Sequence, residues 1–259
     1  MFTVEQRDAL RDRVLGLADE DERVVAGVLV GSLAADAGDR FSDVDLTFAV
    51  ADDVEVSEVL EAWTRTLTDD LEVVRLADLM SGPTTYRVFL LPDALQLDLS
   101  MTPAATFRPA GPRFRLLFGE TVDEPGTPAH APVGDLFIAT PAVEGDIFGW
   151  GVIYALHARA CIERGRTWQA EHYVDAVRDH ALSLACVLHG TAVAQARGYD
   201  DLPASVLATF DRAHVTAPEA GPLRTALAAG VQALIDGGVQ ARLPHARVTA
   251  ERLAEFLPV

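Results

Sequence analysis

The feature that most constrains this chain is a continuous apolar run and a second strand-like run, separated by a polar gap. Val24 to Val30 reads VVAGVLV, and Val44 to Val50 reads VDLTFAV. Runs of this length, rich in β-branched residues, predict buried strands, and two strands alone are marginal without further sheet or helix around them. Gly31-Ser32 ends the first run, and the polar stretch AADAGDRFS carries the chain to the second.

Around these strands, helical and strand periods alternate. Val4, Leu10, Val14 and Leu17 recur at helical spacing over residues 4–18. Residues 53–67 set Val56, Val59, Leu60, Trp63 and Leu67 on one stripe of an amphipathic helix. Leu71–Leu76 predicts a third strand, and Tyr86–Leu91 with Ala94–Met101 predicts a hairpin around Pro92-Asp93. The order implies a small mixed sheet with helices, hence an α/β (α+β) fold. From 119 to 134 the text becomes GETVDEPGTPAHAPVG, rich in Gly, Pro and Thr, and this is the expected boundary.

Beyond it strand signals vanish. Residues 146–163 are apolar almost all round and predict a buried helix. Residues 170–189 align Val174, Val177, Ala181, Leu184, Ala185 and Leu188, with Gly190 as the stop. Further helices are expected near 203–214, 221–236 and 248–257. The expected organisation is therefore a mixed-sheet domain over 1–120 and a helical bundle over 135–259.

Composition narrows the functional classes. With 259 residues, 49% of them hydrophobic, the chain can bury one large core or two modest ones. A formal net charge of −18 repels nucleic-acid phosphates and anionic lipid, so neither DNA nor a membrane is an expected partner. It favours a cationic one, although an acidic surface also serves solubility. Cys161 and Cys186 lie in apolar helical stretches as free thiols, with no cysteine–histidine cluster for zinc. The N-terminus lacks the order of a signal peptide, and no apolar run approaches the roughly 18 residues that span a bilayer. The expectation is a cytoplasmic protein.

The chemistry concentrates in VLVGSLAADAGDRFSDVDLTFAV. Side chains alternate across a strand, so Asp43 and Asp45 face one way while Val44 and Leu46 face the core. Two carboxylates this close are unfavourable unless a cation sits between them, and a hard divalent ion such as Mg²⁺ or Mn²⁺ suits them. Gly31 lets backbone approach a phosphate, and Ser32 adds N–H and hydroxyl donors. In LQLDLSM, Asp98 alternates with Leu97 and Leu99 on the side of Gln96 and Ser100, offering a third carboxylate.

This combination, Gly31-Ser32, then Ser42-Asp43-Val44-Asp45, then Leu97-Asp98-Leu99, resembles the nucleotidyltransferase superfamily related to DNA polymerase beta. The resemblance covers the first ~110 residues; the helical second half is similar in layout to aminoglycoside and lincosamide nucleotidyltransferases. It implies transfer of a nucleoside monophosphate, with ATP as the expected donor, to a hydroxyl of a small, cationic acceptor such as an antibiotic. Asp43 and Asp45 would hold metal, and Asp98 would be a further ligand or the general base. Gly31 and Ser32 would hold the triphosphate, and Ser42 would steady the site. Other acceptors within the same chemistry are a protein or tRNA, and a non-catalytic nucleotide sensor is a third reading.

Other residues have a bland and a functional reading. Glu171, Asp175 and Asp179 share a helix face and would either bind a cationic acceptor or form a solvated face, with Asp175 paired to Arg178. Arg164, Arg166 and Trp168 would contact nucleotide or acceptor, or simply pack. His157, His172, His180 and His189 are scattered on helices, and Trp63, Tyr86 and Trp150 read as core aromatics.

Overall fold

A computed structural model describes residues 2–108, 114–122 and 144–254. The chain divides into two compact units, within residues 2–137 and 138–259. The first is a mixed sheet with helices and the second is helical, as the sequence patterns require.

Helix α1 (Val4–Glu20) starts at a capping box: Thr3 accepts from the Gln6 amide while the Gln6 side chain accepts from the Thr3 amide. Strand β1 (Val24–Val30) and strand β2 (Val44–Val50) pair antiparallel, joined through the one-turn helix α2 (Gly31–Ala34). Helix α3 (Val56–Leu71) leads to β3 (Val74–Ser81), β4 (Thr84–Leu90), β5 (Gln96–Pro103) and β6 (Phe114–Phe118). The sheet order is β3-β4-β5-β2-β1-β6, and β2 with β5 is its parallel pair.

The core lies on one face of this sheet. Leu10, Val14 and Leu17 of α1 and Val59, Leu60, Trp63 and Leu67 of α3 pack there against Val44, Leu46, Phe48, Leu97, Leu99 and Met101. Burial of these side chains, at roughly 1.5–3 kcal/mol each for the larger ones, is what sets the register of β2 and β5. A one-residue slip would turn the apolar set outward and the acids inward. Trp63 packs edge-on to Phe48, and its indole N–H donates to Asp21 Oδ2 at 2.8 Å.

Several local features differ from the expectations. The predicted strand Leu71–Leu76 is displaced: α3 continues to Leu71, and β3 begins at Val74. An extra turn is held by the Thr68 hydroxyl donating to Thr64 O, by the ion pair between Asp70 and Arg13 of α1, and by Glu72 in a left-handed cap at φ 53°. A hairpin turn at Gly82-Pro83 joins β3 to β4, and β6 forms at the sheet edge against β1; neither is among the expected elements. Tyr86 is half-buried on the sheet rather than a core aromatic.

The second unit centres on α4 (Glu144–Glu163), α5 (Thr167–His189) and α7 (Ala220–Gln240), which pack on one another. Short turns α6 (Ala204–Leu207) and 208–213 and the helix α8 (Ala246–Leu253) complete it. On α5 Val174, Val177, Ala181 and Leu184 are buried, and Gly190 caps the end at φ 69°. Leu188 and Ala185 are only half-buried. Cys161 and Cys186 are buried free thiols. No described helix is long and apolar enough to cross a membrane.

Candidate metal centre

The face of the sheet opposite the core carries the site. In the parallel register Asp45 stands directly beside Asp98 and Thr47 beside Ser100, so the two strands bring residues 53 positions apart into one row. The alternation that buries Val44 and Leu46 sends Asp43 and Asp45 to this side. The Thr47 and Ser100 hydroxyls bond at 2.7 Å, continuing the polar row away from the acids. On the next strand Val88 pairs with Asp98 and Tyr86 with Ser100. Directly paired residues share a face, which puts Tyr86 on the site side, diagonal to Asp98.

Asp43, Asp45 and Asp98 each offer an oxygen within 4.8 Å of the others. They are the one group of this kind among the described residues. Desolvation, with the negative charges of Asp43 and Asp98 close by, raises the Asp45 carboxyl well above its ordinary value. Desolvation and the Asp43 charge push Asp98 up to about 7, opposed by hydrogen bonds from Gln96 and Asp45. Carboxylates packed this closely with no cation between them make a site short of positive charge. Three hard oxygen donors, closely convergent and still partly open, fit a divalent cation such as Mg²⁺ or Mn²⁺.

Gly31 fits the same picture. Its φ of +72° is left-handed, and a Cβ there would collide with Asp45 Oδ2. The glycine therefore serves both the backbone turn and the space taken by the carboxylate. Ser32 is half-exposed at the start of α2, and its carbonyl accepts from the Ala35 and Ala37 amides. Ser42 is buried: its hydroxyl accepts from the Asp39 amide at 3.0 Å and donates to Asp39 Oδ1 at 3.1 Å. It ties down the loop that leads into Asp43. Arg7, also buried, donates to Asp39 O at 2.7 Å from the α1 side. Arg115 of β6 donates to Leu33 O at 2.8 Å and so fixes α2.

Gln96 is the neighbour that the sequence left without a role. It is 4% exposed, and its Nε2 donates to Asp98 Oδ1 at 2.8 Å. Its alternation with Asp98 in LQLDLSM was the available signal.

The residues singled out in the second half of the chain belong to the helical unit. Arg178 donates to Asp175 at 2.7 Å and pairs with Asp179 at 3.1 Å, while Glu171 has no ion pair among the described residues. Trp168 is 78% exposed, and Arg166 reaches Gln169 at 3.3 Å. His157, His172 and His180 join Trp150, Tyr154 and Tyr173 in a chain of ring contacts between α4 and α5. Burial lowers the His180 imidazole, whose Nδ1 lies 2.8 Å from Ala176 O.

No protein-family profile matches the chain, and no curated protein matches it in sequence. Among solved structures it is similar to an aminoglycoside 6-adenyltransferase from Bacillus subtilis, with 13% identity over 94% of this chain and 90% of that one. The TM-score is 0.29, and a superposition of that quality says nothing about the reaction.

Proposed function

We propose that the chain is a metal-dependent nucleotidyltransferase that moves a nucleoside monophosphate from a nucleoside triphosphate, ATP foremost, to a hydroxyl of a small cationic acceptor. The observation that carries this reading is the convergence of Asp43, Asp45 and Asp98 within 4.8 Å, with Gly31 packed against Asp45. A divalent cation held there would draw charge from the α-phosphate and from the attacking and leaving oxygens.

The chain's own residues supply the rest. Asp43, just before β2, and Asp45 on it would hold the cation together with Asp98 of β5. The open backbone at Gly31 and the donors of Ser32 receive the triphosphate oxygens. Ser42, bonded to Asp39, keeps the entering loop in place. An acceptor hydroxyl attacks the α-phosphorus in line; the new O–P bond forms as the bond to the bridging oxygen breaks, and pyrophosphate leaves. Asp98 takes the hydroxyl proton or completes the cation's ligands. The net charge of −18 supports a cationic acceptor, for which aminoglycoside-like and lincosamide-like molecules are the leading class. Glu171 and Asp175 are the acceptor-binding candidates.

Mass spectrometry of the purified chain with Mg²⁺, each of the four nucleoside triphosphates and a panel of aminoglycosides and lincosamides tests this. The expected result is a drug gaining one nucleoside monophosphate, lost in Asp43→Asn. Absence of triphosphate binding would overturn the reading. Mass gained by the protein itself, or by added tRNA, would move the acceptor to a macromolecule.

A further inference from the structure

Gln96 carries a contradiction that its own fold does not explain. The side chain is 4% exposed at the start of β5, opposite the fully buried Leu90 of β4. Its Nε2 donates to Asp98, but its Oε1 is buried and meets no hydrogen-bond partner among the described residues. A buried acceptor left unpaired costs roughly 1–3 kcal/mol, and most such atoms in native proteins are satisfied. An apolar side chain of similar length would fill the slot beside Leu90 without that penalty.

The amide's orientation follows from chemistry. Turning it over would set its carbonyl against the Asp98 carboxylate, two acceptors facing each other. With the N–H end on Asp98 Oδ1, the carbonyl is left in the buried, unpaired position. Gln96 and Asp98 are two apart on β5 and so share the side of the strand on which Asp98 stands beside Asp45.

We infer that Gln96 is a positioning residue, kept at a cost to the fold because its N–H holds Asp98 in the rotamer that converges with Asp43 and Asp45. This rests on the metal-site reading above. Groups that orient a ligating carboxylate in this way typically govern metal affinity or activity by about 10–100-fold.

The test uses Gln96→Met, close in length, and Gln96→Leu as a shorter apolar check. Three quantities are read at one pH: the thermal midpoint without metal, Mn²⁺ affinity by calorimetry, and kcat and KM for the transfer. Both variants are expected to melt at or above the parent without metal while binding Mn²⁺ about 10–100-fold more weakly. Turnover falls with KM for the triphosphate little changed. A purely structural glutamine would give the reverse, a lower midpoint with affinity preserved. Both variants melting below the parent overturns the inference, as does Mn²⁺ affinity within about twofold of the parent. Asp43→Asn separates the two levels: if it abolishes Mn²⁺ binding while Gln96→Met spares it, only the role of Gln96 fails. If Asp43→Asn leaves binding intact, the metal site itself is wrong and this inference falls with it.

Discussion

Replacing Gly31 with alanine probes how closely the turn after β1 is fitted to the acid cluster. Two costs are separable. Gly31 sits at φ +72°, where an L side chain costs roughly 1–2 kcal/mol. The new Cβ would also collide with Asp45 Oδ2 and lie 3.3 Å from Asp45 Cγ, so the carboxylate has to swing away. Gly82, in the β3–β4 turn of the same unit, has φ +57° and open space around its Cα, so Gly82→Ala carries the backbone cost alone. Gly82→Ala is expected to lose about 1–2 kcal/mol in thermal or urea unfolding without metal, and Gly31→Ala at least as much. Only Gly31→Ala is expected to weaken Mn²⁺ binding, by at least about tenfold, or about 1.4 kcal/mol, because one ligand has been displaced. Unfolding and calorimetric titration of both variants beside the parent decide it. Mn²⁺ affinity in Gly31→Ala equal to that in Gly82→Ala would refute the claim that Gly31 makes room for a metal ligand.

Asp98→Asn keeps the shape of the side chain and removes a buried charge, so the metal-free protein is expected to melt higher near neutral pH while losing Mn²⁺ binding. A lower midpoint would contradict the repulsion described for the cluster. The pH dependence follows from the carboxyl of Asp98, at about 7 in the folded chain against an ordinary 3.8. The unfolded chain releases this proton near pH 4 and the folded chain holds it until about 7. Metal-free stability should therefore decline across that window, by up to about 4 kcal/mol from this group at about 1.4 kcal/mol per pH unit. Mg²⁺ should remove the decline, and its binding should weaken as pH falls below about 7, which a melting series at several pH values with and without Mg²⁺ would check. Asp21→Ala strips the Trp63 indole of its acceptor and Arg23 of its partner, and is expected to cost about 1–3 kcal/mol in urea unfolding without altering Mn²⁺ affinity.

Much of the site was legible because strand chemistry is local. The alternation of Val44 and Leu46 with Asp43 and Asp45, and of Leu97 and Leu99 with Asp98, fixes which side chains leave the core before any partner strand is known. The helices α3, α4 and α5 were legible for the same reason, each carrying its own apolar pattern. What the sequence withheld depends on contacts distant along the chain. Strand β6 is five residues with Phe114 and Leu116 exposed, and only its pairing with β1 makes it a strand. The end of α3 is set partly by Arg13 of α1, which nothing near Leu71 announces. The significance of Gln96 needed the burial of one amide oxygen, a property that no spacing encodes.

The parallel pairing of β2 with β5 has a consequence in time as well as in space. Hairpins β1–β2, β3–β4 and β4–β5 join neighbouring stretches of chain, but β2 meets β5 only after α3, β3 and β4 have been laid out between them. Closing that long loop carries an entropy cost that local hairpins escape. A chain arrested before this closure would hold much of its hydrogen bonding but only Asp43 and Asp45 of its acid cluster, without Asp98. A cation would then find only two of its three carboxylates in the half-formed chain and be held more weakly than in the finished fold. Its effect belongs mainly to the completed fold, where it would slow unfolding and change the refolding rate less.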